Sequence, residues 1–328
     1  MSSPELYPLK FRPILKNTIW GGNKLGKILG KPVGKHDSCG ESWEISGVEG
    51  NISEVQGGVL KGEKLTHLIE KYKGALMGNK VYREFGEKFP LLIKYIDANQ
   101  DLSIQVHPDN ALAKKRHNSF GKTEMWYVIN ADDDASLISG FNKATNSREY
   151  LEYFNSGRLT ELLNKEPAVK DDVFFLPAGR VHTIGQGLLI AEIQQTSDIT
   201  YRIYDFDRVD KDGKRRQLHV EQALAAIDFN FYDNYKTAYD RNELSVELVR
   251  SNYFVCNRIL SATSVNRDYA TLDSFVILMV LEGEGELNTG AGSYTYTKGD
   301  TYLIPATIAA LKIKPKNTSK ILEVYIPS

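Results

Sequence analysis

The sequence predicts a mainly β protein made of two related jelly-roll β-barrels, with a small helical insertion in the first. Three observations support this fold class. Short β-rich runs separated by Gly, Asn, Asp and Pro dominate the chain, helical patterns are few, and one strand-and-turn segment occurs twice. Many short strands with turn signals between them are typical of a β-sandwich or barrel.

The strands of the first barrel follow from runs rich in β-branched and aromatic residues. These runs cover residues 90–96, 102–106, 124–129, 173–176, 187–194 and 200–204. Helical spacing of apolar residues predicts helices over 64–72, 147–164 and 220–226. Because the second of these interrupts the series of strands, we interpret it as a helical insertion.

The end of the chain repeats part of this pattern. A strand over 275–281 is followed by a Gly-rich turn, a strand over 293–297, the turn Lys298-Gly299-Asp300 and a strand over 301–304. The segments KDDVFFLPAG (170–179) and KGDTYLIPAT (298–307) resemble a degenerate internal repeat. We therefore predict one domain over 1–235 and a second over 236–328, divided within the polar stretch 231–243.

Composition restricts the kinds of partner and location. The formal net charge of −1 over 328 residues argues against nucleic acid or an anionic membrane as a bulk electrostatic partner. The charged start of the chain does not resemble a signal peptide, and no run has the ~18 apolar residues of a membrane span. With only two distant cysteines, Cys39 and Cys256, we expect a cytoplasmic protein, a monomer or small homo-oligomer.

Polar residues alternate along one predicted strand in the segment LSIQVHP. Side chains on a strand point to opposite faces in turn, so Ser103, Gln105 and His107 share one face, and Ile104 and Val106 share the other. Three polar groups on the inner face of a barrel are costly unless they bind something. The pattern therefore indicates a ligand or metal inside the first barrel.

Two further segments add metal-binding groups. Glu124 begins the strand after Lys122, and His182 follows the Pro-Gly turn at 177–179. With Gln105 and His107 they supply mixed nitrogen and oxygen ligands without sulfur, which suits a first-row divalent metal with an open coordination position. Each has a simpler interpretation: Gln105 satisfies a neighbouring backbone, and Glu124 pairs with Lys122 or Lys94. The combination His-x(16)-Glu followed by P-x-G-x-x-H favours the metal.

The histidines outside this combination have no such context. We interpret His36, His67, His117 and His219 as surface or structural residues. The basic segment KDGKRR (211–216) is interpreted as a solvated hairpin tip rather than a nucleic-acid patch.

At these residues the chain resembles the type I mannose-6-phosphate isomerases of the cupin superfamily. The resemblance covers residues 10–230 and is carried by the blocks TIWGG (18–22), GESWEIS (40–46), LSIQVHPDN (102–110), GKTEMWYV (121–128), PAGRVHTIG (177–185) and AEIQQTSDITYRIYDFDR (191–208). It is similar to the short bacterial form, which lacks a large helical domain. The C-terminal domain resembles a cupin without metal ligands, since it contains no histidine.

The resemblance implies two cupin domains, a bound zinc and interconversion of mannose 6-phosphate and fructose 6-phosphate. It places the metal on Gln105, His107, Glu124 and His182, although other first-row metals also fit these ligands. It places the catalytic arginine on Arg202.

The resemblance places Lys122 and Ser103 at positions that line the substrate pocket, and Lys94 in another matching block. Lys122 and Glu192 are candidates for proton transfer or orientation, and Ser103 and Lys94 for substrate binding. Two simpler readings stay open: Arg202 as an ion-pair partner of Asp205 or Asp207, and Glu192 as a partner of a ligand histidine.

Two other functions are compatible with these residues. Two histidines and one carboxylate also form the facial triad of iron-dependent oxygenases. A non-catalytic sugar-phosphate-binding cupin would keep the pocket without turnover. The fourth ligand Gln105, the nearby cations and Arg202 favour the isomerase.

Overall fold

A computed structural model describes residues 5–34, 38–209, 212–290 and 292–327. His36 and Lys211 therefore lie outside the described residues. The helices are α1 (Lys24–Leu29), α2 (Leu65–Tyr72), α3 (Gly74–Met77), α4 (Asn79–Phe85), α5 (Asn110–His117), α6 (Ser147–Asn155) and α7 (Val220–Leu224), with a 3-10 helix at Leu159–Glu161. No helix in this part of the chain is both long and apolar enough to cross a bilayer.

The first sandwich contains β2 (Ile14–Gly22), β3 (Cys39–Ile45), β6 (Leu91–Ala98), β7 (Ile104–Val106), β8 (Glu124–Ala131), β9 (Ser136–Phe141), β10 (Leu163–Pro167), β11 (Val173–Leu176), β12 (His182–Ile184), β13 (Leu188–Gln195) and β14 (Tyr201–Tyr204). Between β3 and β6, the short strands β4 (Gly47–Val48) and β5 (Asn51–Ile52) form a separate two-stranded sheet. A six-stranded sheet in the order β11-β8-β13-β6-β3-β2 faces a five-stranded sheet in the order β10-β9-β12-β7-β14. All six strands predicted for this region are present, with ends shifted by one or two residues.

The second sandwich contains β15 (Ser245–Arg250), β16 (Val255–Ser261), β17 (Val265–Asp268), β18 (Val276–Glu282), β19 (Glu284–Thr289), β20 (Gly292–Thr297), β21 (Thr301–Ile304), β22 (Ala310–Pro315) and β23 (Ser319–Tyr325). Its six-stranded sheet, β1-β21-β18-β23-β16-β15, includes the N-terminal strand β1 (Leu9–Lys10). Its four-stranded sheet has the order β17-β22-β19-β20.

The two repeated segments occupy equivalent places. KDDVFFLPAG forms β11, which pairs antiparallel with β8, and KGDTYLIPAT forms β21, which pairs antiparallel with β18. In turn β8 pairs with β13, and β18 with β23. The mainly β fold of two related domains is confirmed.

The two six-stranded sheets pack back to back. Ile93 and Tyr127 from the first sheet join Ile277 and Leu322 from the second in one core, which α1–α4 also cover. Fully burying such a side chain stabilises the fold by roughly 1.5–3 kcal/mol. Because both faces of β6 are covered, it is buried along its whole length. Between the two sheets of the first sandwich, apolar side chains such as Ile96 and Ile184 fill part of the interior, and buried polar side chains such as Glu124 and His182 lie there as well.

The helix predicted over 147–164 is shorter in the structure. It ends at Asn155, and Gly157 has φ 70, a left-handed conformation that glycine adopts without strain. The chain then forms the 3-10 helix and β10. The leucines at 159, 162 and 163 pack in the same core as Tyr150. Their spacing in the sequence therefore resembles that of one continuous helix. The helices predicted over 64–72 and 220–226 are present, with ends shifted by one or two residues.

Candidate active site

The predicted polar face of β7 lies inside the first sandwich. Ile104 and Val106 pack into the outer core with α6 and α7, whereas Ser103 and Gln105 line a cleft of about 560 Å³ between the two sheets. His107 follows β7 and is 1% exposed. The alternation of β7 therefore separates packing residues from site residues, as its sequence indicates.

Three buried side chains meet behind Gln105 and Lys122, which line this cleft and contact them. The ligand atoms of His107, Glu124 and His182 all lie within 4.8 Å of one another. Glu124 Oε1 is 3.3 Å from His182 Nε2, and Glu124 Oε2 is 3.5 Å from His107 Nε2. Glu124 comes from the six-stranded sheet and His182 from the five-stranded sheet, so the group bridges the sandwich.

Backbone carbonyls fix which nitrogen of each imidazole faces this point. His107 Nδ1 lies 2.9 Å from the Ile199 carbonyl, and His182 Nδ1 lies 2.8 Å from the Arg180 carbonyl. A neutral imidazole that donates from Nδ1 presents a lone pair at Nε2. Both Nε2 atoms therefore face Glu124 as acceptors.

The turn at Pro177–Arg180 holds both histidines at once. Gly179 has φ 91, a conformation that favours glycine, and its N–H donates to the His107 carbonyl at 2.9 Å. One residue later, the Arg180 carbonyl accepts from His182. The positive φ of the glycine and the two backbone hydrogen bonds account for the Pro-x-Gly turn before the second histidine.

Electrostatics keep the two imidazoles neutral. Burial, reinforced by the nearby Lys122 ammonium, holds the pKa of His107 well below its ordinary value and lowers the pKa of His182 to about 3. Burial also raises the pKa of Glu124, against the opposing effect of Lys122. Because both histidines are neutral, their contacts to Glu124 are not ion pairs. In each contact the lone pair of an imidazole Nε2 faces a carboxylate oxygen, so two hydrogen-bond acceptors lie next to each other.

Such an arrangement requires positive charge. Glu124 Oε1 is buried without a hydrogen-bond partner among the described residues. Lys122 Nζ binds Glu124 Oε2 and lies 3.1 Å from His107 Nε2. An orphaned carboxylate oxygen beside two imidazole lone pairs fits a divalent metal.

Gln105 lies beside this group. Its Nε2 is 3.3 Å from His182 Nε2, and Ser103 Oγ is 3.4 Å from its Oε1. For the oxygen to face a cation, the amide must turn about its last bond. The structure thus brings all four predicted ligands together, three of them already oriented.

The predicted catalytic and substrate-binding residues line the same cleft: Lys94, Ser103, Lys122, Glu192 and Arg202. Lys94 Nζ is 3.0 Å from Glu192 Oε2, and Trp126 Nε1 donates to Glu192 Oε1 at 3.0 Å. Burial alone would raise the pKa of Glu192, but Lys94 and Lys122 outweigh it and hold that pKa below its ordinary value. Glu192 therefore pairs with Lys94, not with a ligand histidine.

Arg202 stands opposite Gln105 in the register of β14 and β7. Its Nη1 donates to the Gln217 carbonyl at 2.9 Å, and His219 Nδ1 accepts from its backbone N–H at 3.1 Å. Among the described residues it has no ion pair, because Asp205 binds Arg208 and Arg216 and Asp207 binds Arg215. The ion-pair interpretation of Arg202 is wrong for Asp205 and Asp207.

Sequence reasoning missed other residues of the cleft. Trp20, Glu41, Trp43, Asp198 and Arg216 also line it. Several lie within the blocks that carried the resemblance, but no spacing rule singles them out. His219, interpreted as structural, holds the backbone of Arg202.

Comparisons with known proteins agree with this geometry. The family described as phosphomannose isomerase type I, catalytic domain, matches residues 9–131, and the mannose-6-phosphate isomerase cupin domain matches residues 247–325. A mannose-6-phosphate isomerase from Streptococcus mutans is 38% identical over 92% of this chain and 93% of its own length. One from Bacillus subtilis is 36% identical over 94% of this chain and 96% of its own length.

A solved structure extends the match to three dimensions. The crystal structure of mannose 6-phosphate isomerase from Bacillus subtilis superposes with a TM-score of 0.86 at 32% identity, covering 97% of this chain and 99% of that one. The cupin fold is thereby confirmed. The chain belongs to the type I phosphomannose isomerase family.

Proposed function

We propose that this protein interconverts mannose 6-phosphate and fructose 6-phosphate. The observation that carries the proposal is the convergence of two imidazole lone pairs and an orphaned carboxylate oxygen beside a cleft whose lining includes four cationic side chains. The names of relatives that match over nearly the whole chain support the same substrate pair.

The residues proposed to hold the metal are Gln105, His107, Glu124 and His182. We propose zinc, because nitrogen and oxygen ligands with an open position are typical of catalytic zinc, although other first-row metals accept the same ligands. A divalent ion there supplies Lewis-acid stabilisation of negative charge on a sugar oxygen.

Isomerisation moves a proton between the first two carbons of the open-chain sugar. A group that accepts and returns this proton must lie in the cleft beside the reacting carbons. Glu192, kept ionised by Lys94, and Lys122, beside the ligand set, are the candidates. Arg202, always charged, is proposed to stabilise the negative charge of the enediolate.

Substrate hydroxyls and phosphate need further partners. Ser103 and Lys94 are proposed to bind substrate at the wall of the cleft. The division of the chain at residues 235 and 236, a cytoplasmic location and a monomer or small homo-oligomer remain predictions.

A coupled assay tests the proposal. Purified protein is given mannose 6-phosphate and the fructose 6-phosphate formed is measured, first as purified, then after chelator treatment, then after adding zinc. We expect turnover that the chelator abolishes and zinc restores. Sugar-phosphate binding without turnover by zinc-loaded protein would contradict the proposal in favour of a binding protein, as would oxygen uptake with iron in favour of an oxygenase.

A further inference from the structure

Three arginines lie near one another beside the cleft, and one carboxylate pairs with two of them. Asp205 follows β14 and its side chain is only 6% exposed. Arg208 Nη2 lies 2.6 Å from its Oδ1, and Arg216 Nε lies 2.7 Å from its Oδ2, with Arg216 Nη2 also bound to Oδ1. Arg202 lies close enough that both Arg208 and Arg216 act on it electrostatically. Asp205 therefore pairs with two guanidinium groups, and Arg202 beside them has no ion pair among the described residues.

Three carboxylates also line the cleft, but among the described residues none of them forms an ion pair with Arg202 or Arg216. Glu41 and Glu192 both lie near Lys94, and Asp198 is exposed to water. The Nε of Arg202 is buried without a hydrogen-bond partner among the described residues. Burial, then the charge of Arg216, lowers the pKa of Arg202. A cationic surface with an orphaned buried donor is suited to an anion.

Arg216 is the member of this group that the sequence led us to misplace. The segment 211–216 reads as a solvated hairpin tip, yet Arg216 lines the cleft together with Arg202 and Ser103. Its side chain is 28% exposed, compared with 69% for its neighbour Arg215, which pairs with Asp207. Its bonds to Asp205 use Nε and Nη2, and its Nη1 has no hydrogen bond to any described residue.

We infer that Arg216 binds the phosphate group of the sugar phosphate, with Asp205 as the positioning residue that orients its guanidinium. The inference rests on the proposed function and adds the residue that distinguishes a phosphorylated sugar. Arg202 lies opposite the candidate ligand Gln105. Arg216 is hydrogen-bonded to Asp205, three residues after Arg202 in the chain. A sugar with its reacting carbons near Gln105 would therefore extend its phosphate toward Arg216. Arginine nitrogens match phosphate oxygens in geometry as well as charge.

Kinetics and inhibition of the holoenzyme test this inference. Arg216→Ala is expected to raise the KM for mannose 6-phosphate by about 10-fold or more, with a smaller change in kcat, because a charge-assisted contact to the phosphate is lost. The inhibition constant of inorganic phosphate should rise by a similar factor. Calorimetric titration with inorganic phosphate measures the same loss without relying on turnover.

Arg215→Ala is the matched control. It removes an arginine from the same hairpin that does not line the cleft, and both constants should stay at their wild-type values. Because Arg216 also neutralises the buried Asp205, thermal melting is recorded for each variant. If the alanine variant does not fold, Arg216→Lys, which keeps the charge but loses the fork, should show the same changes at smaller size.

The outcomes separate this inference from the proposed function. Unchanged phosphate binding and KM in a folded Arg216 variant would overturn the inference while leaving isomerase activity intact. An equal loss in Arg215→Ala would overturn it too, because the effect would then be general electrostatics. A third outcome is that the wild-type protein binds phosphate, the Arg216 variant does not, and neither isomerises mannose 6-phosphate. That result would support the anion site and contradict the proposed function.

Discussion

Two backbone carbonyls decide what the candidate metal site can bind. Ile199 and Arg180 each engage the Nδ1 of one histidine, and both Nε2 atoms are left with lone pairs that face Glu124. Burial keeps the imidazoles neutral, so acidification does not readily fill these positions with protons. A cation is the species that satisfies all three groups together.

Residue roles separate when metal content and activity are measured on the same samples. His107→Ala removes a proposed ligand, so bound metal and isomerase activity should both fall to background. Arg202→Ala should lower kcat by roughly 10²- to 10³-fold, as expected for loss of a charge-stabilising group, with metal content unchanged. Elemental analysis and the coupled assay provide the two measurements.

The exposed His67, which contacts Glu63 rather than the cleft, provides the control. His67→Ala should keep both metal and activity. Near-normal turnover by Arg202→Ala would show that the assigned charge-stabilising role is wrong.

At this scale, the sequence identified residues whose chemistry is unusual for their place on a strand. Ser103 and Gln105, for example, are polar on the inner face of a sheet. Arg216 and His219 could not be found in this way, since both come from connecting segments whose path only the tertiary structure defines. The pairing of Glu192 with Lys94 depends on the register of β13 with β6, which no local pattern reveals.

At the scale of elements, β23 joins the two sandwiches through a partly buried ion pair. Lys320 Nζ lies 2.7 Å and 2.9 Å from the two oxygens of Asp171, which precedes β11, and Tyr127 OH donates to Asp171 Oδ1 at 2.8 Å. Burial alone would raise the pKa of Asp171, but these hydrogen bonds outweigh it and hold the pKa below its ordinary value of 3.8. The ionised form therefore stabilises the folded chain.

The Asp171→Asn substitution tests this link. Asparagine tolerates the left-handed φ of 71 at this position, so the change removes mainly the charge. At pH 7 we expect a loss of about 1–3 kcal/mol in the free energy of unfolding, measured by urea denaturation. Since a lowered carboxyl pKa stabilises above the unfolded pKa, the difference from wild type should shrink as the pH falls below 3.8 toward the folded pKa.

A surface ion pair serves as the control for Asp171. Arg158 and Glu161 are both more than half exposed, and Glu161→Gln should leave the free energy of unfolding unchanged within error. A pH-independent loss in Asp171→Asn would contradict the electrostatic account and indicate a packing defect.

The elements themselves were largely predictable, because β8, β11 and β21 have turn residues at both ends. The short helices α3 and α4 were not predicted, since each is stabilised by packing against the core rather than by its own periodicity. The early end of α6 depended on Gly157, whose effect competes with a convincing apolar spacing.

At the scale of the whole molecule, the two sandwiches share a plan but differ in what fills their polar interior. In the second, Glu323 is fully buried on β23 and binds Arg267, Tyr269 and Asn257. The strands β17 and β22 of the second sandwich pair in the same way as β7 and β12 of the first. Arg267 stands opposite Leu311 in the one pair, and Gln105 stands opposite His182 in the other. Both carboxylate oxygens of Glu323 have protein partners, whereas Glu124 Oε1 has none in the part of the chain that the structure describes.

This contrast explains how one fold serves two purposes. A buried carboxylate whose partners are all supplied by the protein stabilises a single arrangement of strands. A buried carboxylate with one unpaired oxygen, next to the lone pairs of two imidazoles, can bind a ligand. The back-to-back sheets hold the second sandwich against the first, so β6 and β13 present Lys94 and Glu192 from a backbone buried on both faces.

The central claim is that His107, Glu124 and His182 hold one cation in the first sandwich. The most direct measurement is an anomalous-scattering map from crystals of fully active protein, collected on both sides of the zinc absorption edge. We predict a single strong peak per chain, between the Nε2 atoms of the two histidines and Glu124 Oε1. A map without a peak there, from protein whose activity was confirmed before crystallisation, would contradict the account.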